Sequence, residues 1–262
     1  MFVIEIPYMN LEQIYNSKQV PRWIKLKQDK FIVIHENKAL KIEQKKDRFI
    51  MNCSEDEFFN IWFNYFDLAT DYKQINDQVK RLGNKFKIVA NRGKGIHILN
   101  QNSFESYVYS KIVSKVGYEK AFLAINHIAV TCGLKHVQSM REAGKITWYE
   151  FPGPEMILEN FNSFKKMGKI NSWLKRLCFA IVNEGFDINE SGNDLYKLLA
   201  LGDKSNFLMY ELEDLLAKNF KCDAKDFADE YLHQIENKGI VYMYILHHKL
   251  NPPKEAKVYG TY

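Results

Sequence analysis

The feature that most constrains this chain is a change of period along it. From Phe2 to about Ile50, short apolar runs recur at close spacing, among them KFIVIH (Lys30 to His35), ALKIEQ (Ala39 to Gln44) and RFIMNC (Arg48 to Cys53). Their alternation and β-branched content predict antiparallel strands, joined by polar turns such as KQD and EQKKD. Ser54-Glu55-Asp56-Glu57 is a capping box ahead of FFNIWFNYF, so a helix opens at Ser54. A second helix is expected to start near Asp71. After NRGKG (Asn91 to Gly95) the apolar spacing becomes helical and is read as helical to about Leu250, with breaks at FPGPE, Gly168, Gly185 and Gly202. The expectation is an α+β protein: a twisted antiparallel sheet domain with helices over residues 1–95, then an all-helical domain over 96–262.

Composition narrows the class. With 262 residues, 46% hydrophobic and 26% charged, the chain can bury a sizeable core without disulfides. No run reaches the roughly 18 apolar residues of a membrane span, and the amino terminus lacks a basic-then-apolar leader. The expectation is a cytoplasmic protein with no membrane partner. Cys53, Cys132, Cys178 and Cys222 lie far apart with no C-x-x-C pair, which indicates neither a zinc site nor a disulfide framework. His247 and His248 are adjacent and point about 100° apart on a helix, so they do not share a metal. No metal and no cofactor are expected. The net charge of +5 suits a phosphate-binding face without requiring one.

Several segments, in order, resemble the 8-oxoguanine DNA glycosylase family of the helix-hairpin-helix superfamily. Ser17-Lys18-Gln19-Val20-Pro21-Arg22-Trp23 is similar to the family's S-G-Q-x-F-R-W. FFNIWFNYFDLATDY (Phe58 to Tyr72) is similar to Y-F-D-L-D-T-D-Y, the most specific match. GIHILNQNSFE (Gly95 to Glu105) resembles G-I-R-I-L-R-Q-D-P-F-E, YEFPGPE (Tyr149 to Glu155) resembles Y-S-F-P-T-P-E, and Phe227 to Leu250 resembles the family's last helices. The resemblance runs from about residue 10 to 250. It implies a sheet-and-helix domain followed by a helical bundle, duplex DNA bound over the cleft between them, extrusion of a nucleotide and cleavage of its N-glycosidic bond. It also implies a monomer.

The departures are as informative. The family's L-P-G-V-G-x-K-V-A-D hairpin, which carries a catalytic lysine, is shortened here by roughly one helix. Ser191 or its neighbours stand in the lysine's place and Asp194 coincides with the aspartate after it. A lysine nucleophile makes a Schiff base and a lyase; its loss predicts a monofunctional glycosylase using water. The family's F-P-V-D aspartate falls on Tyr210, with Glu211 beside it. Glu211 is the first candidate for the catalytic carboxylate; it also fits a solvated face of the helix YELEDLLAKNF or an acidic first-turn residue complementing the dipole. Asp194 and Asp187 are further candidates that also fit caps or turns.

The resemblance puts the base pocket at Lys18 and Gln19, whose segment reads the oxidised purine through a backbone carbonyl in the family, and at Tyr210, Tyr242 and Leu246. Lysine for glycine, and Tyr242 and Leu246 for a glutamine and an aromatic, make an 8-oxoguanine substrate doubtful. The expected DNA contacts are Lys115, Tyr118 as wedge and Lys120; Lys169, Lys175 and Arg176, with Lys165 and Lys166, around Gly168 and Trp173; and Arg92 and Lys94. The same residues fit solvated or half-buried helix faces. The leading expectation is a glycosylase acting on a bulky modified base in double-stranded DNA, in repair or antiviral defence. Some divergent relatives remove sugar-decorated cytosines from phage genomes. The rival is an inactive protein that recognises damaged or modified DNA.

Overall fold

The computed structural model describes residues 1–252 apart from 141, 165–166, 189–223, 234 and 236–237. Five strands form one antiparallel sheet: β1 (Phe2–Glu5), β2 (Ile24–Lys27), β3 (Lys30–His35), β4 (Lys38–Lys45) and β5 (Arg48–Met51), in the order β1-β5-β4-β3-β2. The expected turns are where the polar residues lie. His35 pairs with Lys38 and Lys45 with Arg48, so two-residue loops connect these strands. Glu36 and Lys46 supply the positive φ that such loops require.

One face of the sheet is covered by α1 (Leu11–Asn16) and by a helical stretch made of α2 (Glu55–Glu57), a π turn (Phe58–Trp62) and α3 (Phe63–Tyr65). Phe31, Val33, Leu40, Ile42 and Phe49 meet Leu11, Ile14, Trp23, Phe58, Trp62 and Phe66 in a single core. The hydroxyl of Ser54 accepts from the Glu57 amide at 3.1 Å, the predicted cap. Asp71 likewise caps α4 (Tyr72–Arg81), accepting from Gln74 at 2.8 Å.

The helical part is α4, α5 (Asn84–Gly93), α6 (Ser103–Val116), α7 (Tyr118–Cys132), α8 (Pro154–Glu159), α9 (Lys169–Asn183), α10 (Ala224–Tyr231) and α11 (Lys238–Leu250). These helices share a second core that runs from Tyr72 to Leu246. The α5–α11 contact is close because Gly93 has no side chain: a Cβ there would stand 2.3 Å from the Tyr244 ring. No helix among the described residues is long and apolar enough to cross a membrane.

One stretch read as helical is a β-hairpin: β6 (Lys135–Met140) and β7 (Gly144–Tyr149). Met140 and Trp148 pack on Ile32 and Ala39 of the five-stranded sheet, so the segment after residue 95 is not all-helical: it returns a two-stranded ribbon to the sheet. Glu142 in its turn meets Lys30 at 2.9 Å and Lys41 at 3.4 Å. The rest of the ribbon is mostly exposed, so little apolar alternation marks it in sequence.

Candidate nucleic-acid interface and base pocket

The segment Tyr65-Phe66-Asp67-Leu68-Ala69-Thr70-Asp71-Tyr72 is a hub that joins the two cores. The Tyr65 hydroxyl accepts from the Trp23 indole at 2.8 Å. Asp67 accepts from Thr70 at 3.0 Å and from the Tyr72 hydroxyl at 2.6 Å, and that hydroxyl accepts from the Ile98 amide at 2.8 Å. Burial raises the Asp67 pKa, opposed by those two donors. The His97 ring stacks on Tyr72 at 3.9 Å between the carbonyls of Phe66 (2.9 Å) and Tyr8 (3.2 Å). Burial holds its pKa down at about 4.

The same hub fixes the loop that carries Lys18. The Gln19 amide donates to Ser17 Oγ (2.9 Å) and the His97 carbonyl (2.8 Å), and accepts from the Leu99 amide (2.9 Å). Gln101 donates to the Gln19 carbonyl at 2.9 Å. Gln19 thus ties its loop to the linker rather than presenting its amide to a ligand. Arg22 makes a bidentate pair with Glu105 and donates to the Tyr149 carbonyl at 2.6 Å. Burial opposes its charge, and Glu105 outweighs this, leaving the pKa above its usual value.

Lys18 itself is exposed and has φ +64°, a left-handed conformation that favours glycine. Its carbonyl accepts from the buried Tyr109 hydroxyl on α6 at 2.9 Å. Burial raises the Tyr109 pKa, so the phenol keeps the proton it donates. No feature of the sequence pointed to Tyr109, because this contact spans 91 residues.

Tyr242 and Leu246 lie buried on α11, and Tyr242 packs on Phe227 with ring centroids 6.2 Å apart. At the end of α11, Arg92 donates to the Asn251 carbonyl, and the Asn251 side chain reaches the Asn16 carbonyl at 3.2 Å. Arg92 therefore secures the helix end against the Lys18 loop. His247, buried beside them, has its pKa held down at about 4 by burial, Arg92 and His248. Lys94 is exposed, its ammonium 5.4 Å above the Tyr8 ring.

A separate basic and aromatic surface forms where α6, α7 and α9 meet. Gly117, at φ +79°, is both the end of α6 and the start of α7. It sets Lys115, the half-buried Tyr118 and the exposed Lys120 at one corner. Lys115 lies over Trp173 of α9 at 5.8 Å, and Lys175 over Phe161 at 4.9 Å. Phe161, Gly168, Asn171, Ser172, Lys175 and Arg176 line an open groove beside them, with the exposed Lys169 at the start of α9. Most of the expected DNA contacts are thus gathered around aromatic rings. Trp173 and Phe161 join that surface, and neither is marked as a contact by local sequence pattern.

Asp187 is exposed just beyond α9, after Gly185 at φ +70°. Glu211, Asp194, Tyr210, Ser191, Lys165 and Lys166 lie outside the described residues. Among the described residues no group of three His, Cys, Asp or Glu side chains could hold a metal ion.

Residues 2–106 match the family described as 8-oxoguanine DNA glycosylase, N-terminal domain. That segment contains the hub, Gln19, His97 and both partners of the Arg22–Glu105 pair. No curated protein shows significant sequence similarity to the chain. Among solved structures, MBOgg1 in complex with a low-affinity DNA ligand superposes with TM-score 0.74 at 18% identity, covering 95% of each chain. The 8-oxoguanine glycosylase/lyase of Clostridium acetobutylicum in its apo-form gives 0.74 at 21%, over 93% of this chain and 95% of that one. The same enzyme with double-stranded DNA holding cytosine opposite 8-oxoG gives 0.72 at 20%, over 95% and 98%. At these identities the likeness is one of fold.

Proposed function

We propose that this chain is a divergent member of the 8-oxoguanine DNA glycosylase family, whose N-terminal domain its residues 2–106 match, and that it extrudes a modified base from duplex DNA and hydrolyses its N-glycosidic bond, leaving an abasic site. The substrate in this reading is a bulky modified base of the phage-cytosine kind, and not 8-oxoguanine. The observation that carries it is the hydrogen bond from Tyr109 to the Lys18 carbonyl. A carbonyl already holding a phenol proton has less capacity to accept from a base, and the lysine side chain adds bulk and charge beside it. In this reading Tyr242 and Leu246, buried on α11, form an apolar wall of the base pocket, which suits a base recognised by shape and by its substituent.

The chemistry follows from what the chain offers. Without a lysine at the Ser191 position there is no Schiff base at the sugar, so water attacks the anomeric carbon. A carboxylate, Glu211 first and Asp194 or Asp187 next, takes the water's proton or stabilises the oxocarbenium-like transition state. The base leaves with the glycosidic electron pair. Tyr118 enters the gap left by the extruded nucleotide, and Lys115, Lys120, Lys169, Lys175 and Arg176 hold flanking phosphates. The protein works as a monomer in the cytoplasm, in repair or in defence against modified foreign DNA.

The test is strand scission of labelled duplexes carrying 8-oxoguanine, uracil, an alkylated purine, 5-hydroxymethylcytosine or glucosylated cytosine, with and without alkali. Alkali-dependent scission on a modified cytosine, abolished in Glu211→Gln, is the expected result. Scission without alkali would overturn the monofunctional assignment, and selective cutting of 8-oxoguanine would overturn the pocket assignment. Tight binding with no scission on any duplex would favour the inactive DNA-recognising reading.

A further inference from the structure

At the end of α11 the two elements assigned to the base pocket are tied to each other. Asn251 follows Leu246 by five residues, about 7.5 Å of helix rise. Its side-chain amide donates at 3.2 Å to the carbonyl of Asn16, two residues before Lys18, a contact between positions 235 apart in the chain. Asn16 is the last residue of α1, and its carbonyl is one of those a helix cannot satisfy at its own end. Ser17 and Lys18 then turn back on the helix through amides that reach Gln13, Ile14 and Tyr15. Asn251 therefore grips the loop where its turn begins. On the other side the loop is held by Tyr109 at the Lys18 carbonyl and by Gln101 at the Gln19 carbonyl.

Asn251 is itself fixed from two directions. Its backbone amide donates to the His247 carbonyl at 3.0 Å, continuing the α11 ladder. Its side-chain nitrogen also lies 3.2 Å from Nδ1 and from the carbonyl of His247. Two amide hydrogens facing three acceptors leave none for a ligand. His247 can accept because it is neutral at pH 7: burial first, then the charges of Arg92 and His248, hold its pKa at about 4. The Asn251 carbonyl takes the guanidinium of Arg92, the basic residue in the last turn of α5. Arg92 is half-buried, in contrast to the exposed Lys94, and its neighbour Gly93 packs on the Tyr244 ring. The close α5–α11 contact thus aims one guanidinium at one carbonyl.

We infer that Arg92 and Asn251 are positioning residues for base selection: Arg92 fixes Asn251 at the end of α11, and Asn251 sets the spacing between the Lys18 loop and the helix that carries Tyr242 and Leu246. This rests on the reading of those two elements as walls of the base pocket. Recognition by shape depends on that spacing, because an apolar wall offers no directional bond to correct a loose fit. A positioning role also differs measurably from the phosphate contact expected of Arg92. A guanidinium committed to a protein carbonyl adds nothing to the salt dependence of DNA binding.

The experiment compares the full-length protein with Asn251→Ala, Arg92→Gln and Arg92→Lys by three readouts. These are hydrogen exchange over residues 14–20, the ratio of kcat/KM on the best-cut modified duplex to that on the next best, and the slope of log affinity against log salt. Asn251→Ala is expected to speed exchange at Ser17 and Lys18 and to lower the ratio roughly tenfold, the equivalent of one hydrogen bond. Arg92→Gln is expected to do the same, Arg92→Lys to recover part of the loss, and all three to keep the parent's salt slope. A residue that only stabilises the fold would lower both kcat/KM values and leave their ratio. If Asn251→Ala melts early, Asn251→Leu, which keeps the size and cannot donate, replaces it. Unchanged exchange in folded variants overturns the inference, as does faster exchange with an unchanged ratio; both leave the glycosylase reading standing. A slope lowered by about 0.9 in Arg92→Gln would make Arg92 a phosphate contact and overturn its positioning role. A parent that cuts none of the modified duplexes removes the glycosylase reading and this inference with it, whatever the exchange shows.

Discussion

His97 is the residue whose chemistry is most constrained by its surroundings. Its ring nitrogens face two carbonyl oxygens, its face lies on Tyr72, and burial keeps the pKa at about 4. In the unfolded chain the same group takes up a proton near pH 6.5. Between those values the unfolded state binds more protons than the folded one, so stability falls as pH drops from about 6.5 to about 4. One such group contributes up to about 1.4 kcal/mol per pH unit in that window. Urea midpoints measured at pH 7, 6 and 5 are expected to fall, and His97→Gln is expected to flatten the fall by up to one proton's worth. Identical pH slopes in parent and variant would show that His97 is not the group responsible. His247, with its pKa also near 4, adds a contribution of the same sign.

At the scale of elements, Gly93 separates local propensity from packing. Gly93 is the last residue of α5, and replacing a helical glycine by alanine normally stabilises by up to roughly 0.5 to 1 kcal/mol. Here the new methyl would stand 2.3 Å from the Tyr244 ring, so α5 and α11 must part or Tyr244 must leave its rotamer. Overpacking of that kind costs about 1 to 3 kcal/mol. Gly93→Ala is expected to lower the denaturation midpoint, with Gly93→Ala/Tyr244→Leu recovering part of the loss; a more stable single mutant would show that the helices slide apart freely. The elements legible in the sequence were those that fold on local rules. The strands around Phe31, Leu40 and Phe49 show alternation because one side of each is buried, and Ser54 and Asp71 announce their helices because capping is a contact three residues long. The Lys135–Tyr149 hairpin departs from the helical expectation because it is largely exposed and anchored mainly by Met140 and Trp148, so burial imposes no alternation on its sequence. Tyr109 was silent for a related reason: what makes it part of the site is a loop brought from far along the chain.

For the whole molecule, the question is what makes two cores behave as one. The sheet core and the helical core are joined by the Gln19 bonds to His97 and Leu99, by the Tyr72 hydroxyl, and by the buried Arg22–Glu105 pair. Arg22 also reaches the Tyr149 carbonyl at the end of the hairpin, so one guanidinium connects the sheet-side loop, the start of α6 and β7. Replacing a buried pair with fitted apolar groups can be neutral, but removing one partner leaves an uncompensated charge and costs about 3 to 5 kcal/mol. Glu105→Gln keeps the shape and strips Arg22 of its counter-ion, so the loss should fall on the junction and not on either core. Trp23 and Trp62 are buried in the sheet core and Trp148 packs on the sheet, so in a Trp173→Phe background fluorescence reports the sheet side, whereas most of the helix lies in the other core. In that background tryptophan fluorescence and far-ultraviolet ellipticity are expected to report one coincident denaturation curve; with Glu105→Gln added the two midpoints separate. Midpoints that shift together by the full amount would mean that the cores remain one cooperative unit without this pair, and that the coupling resides in the Gln19 and Tyr72 bonds instead. Because Lys18 stands on one core and Tyr109 on the other, separated midpoints would also predict weaker and less selective base recognition at temperatures where both cores are still folded.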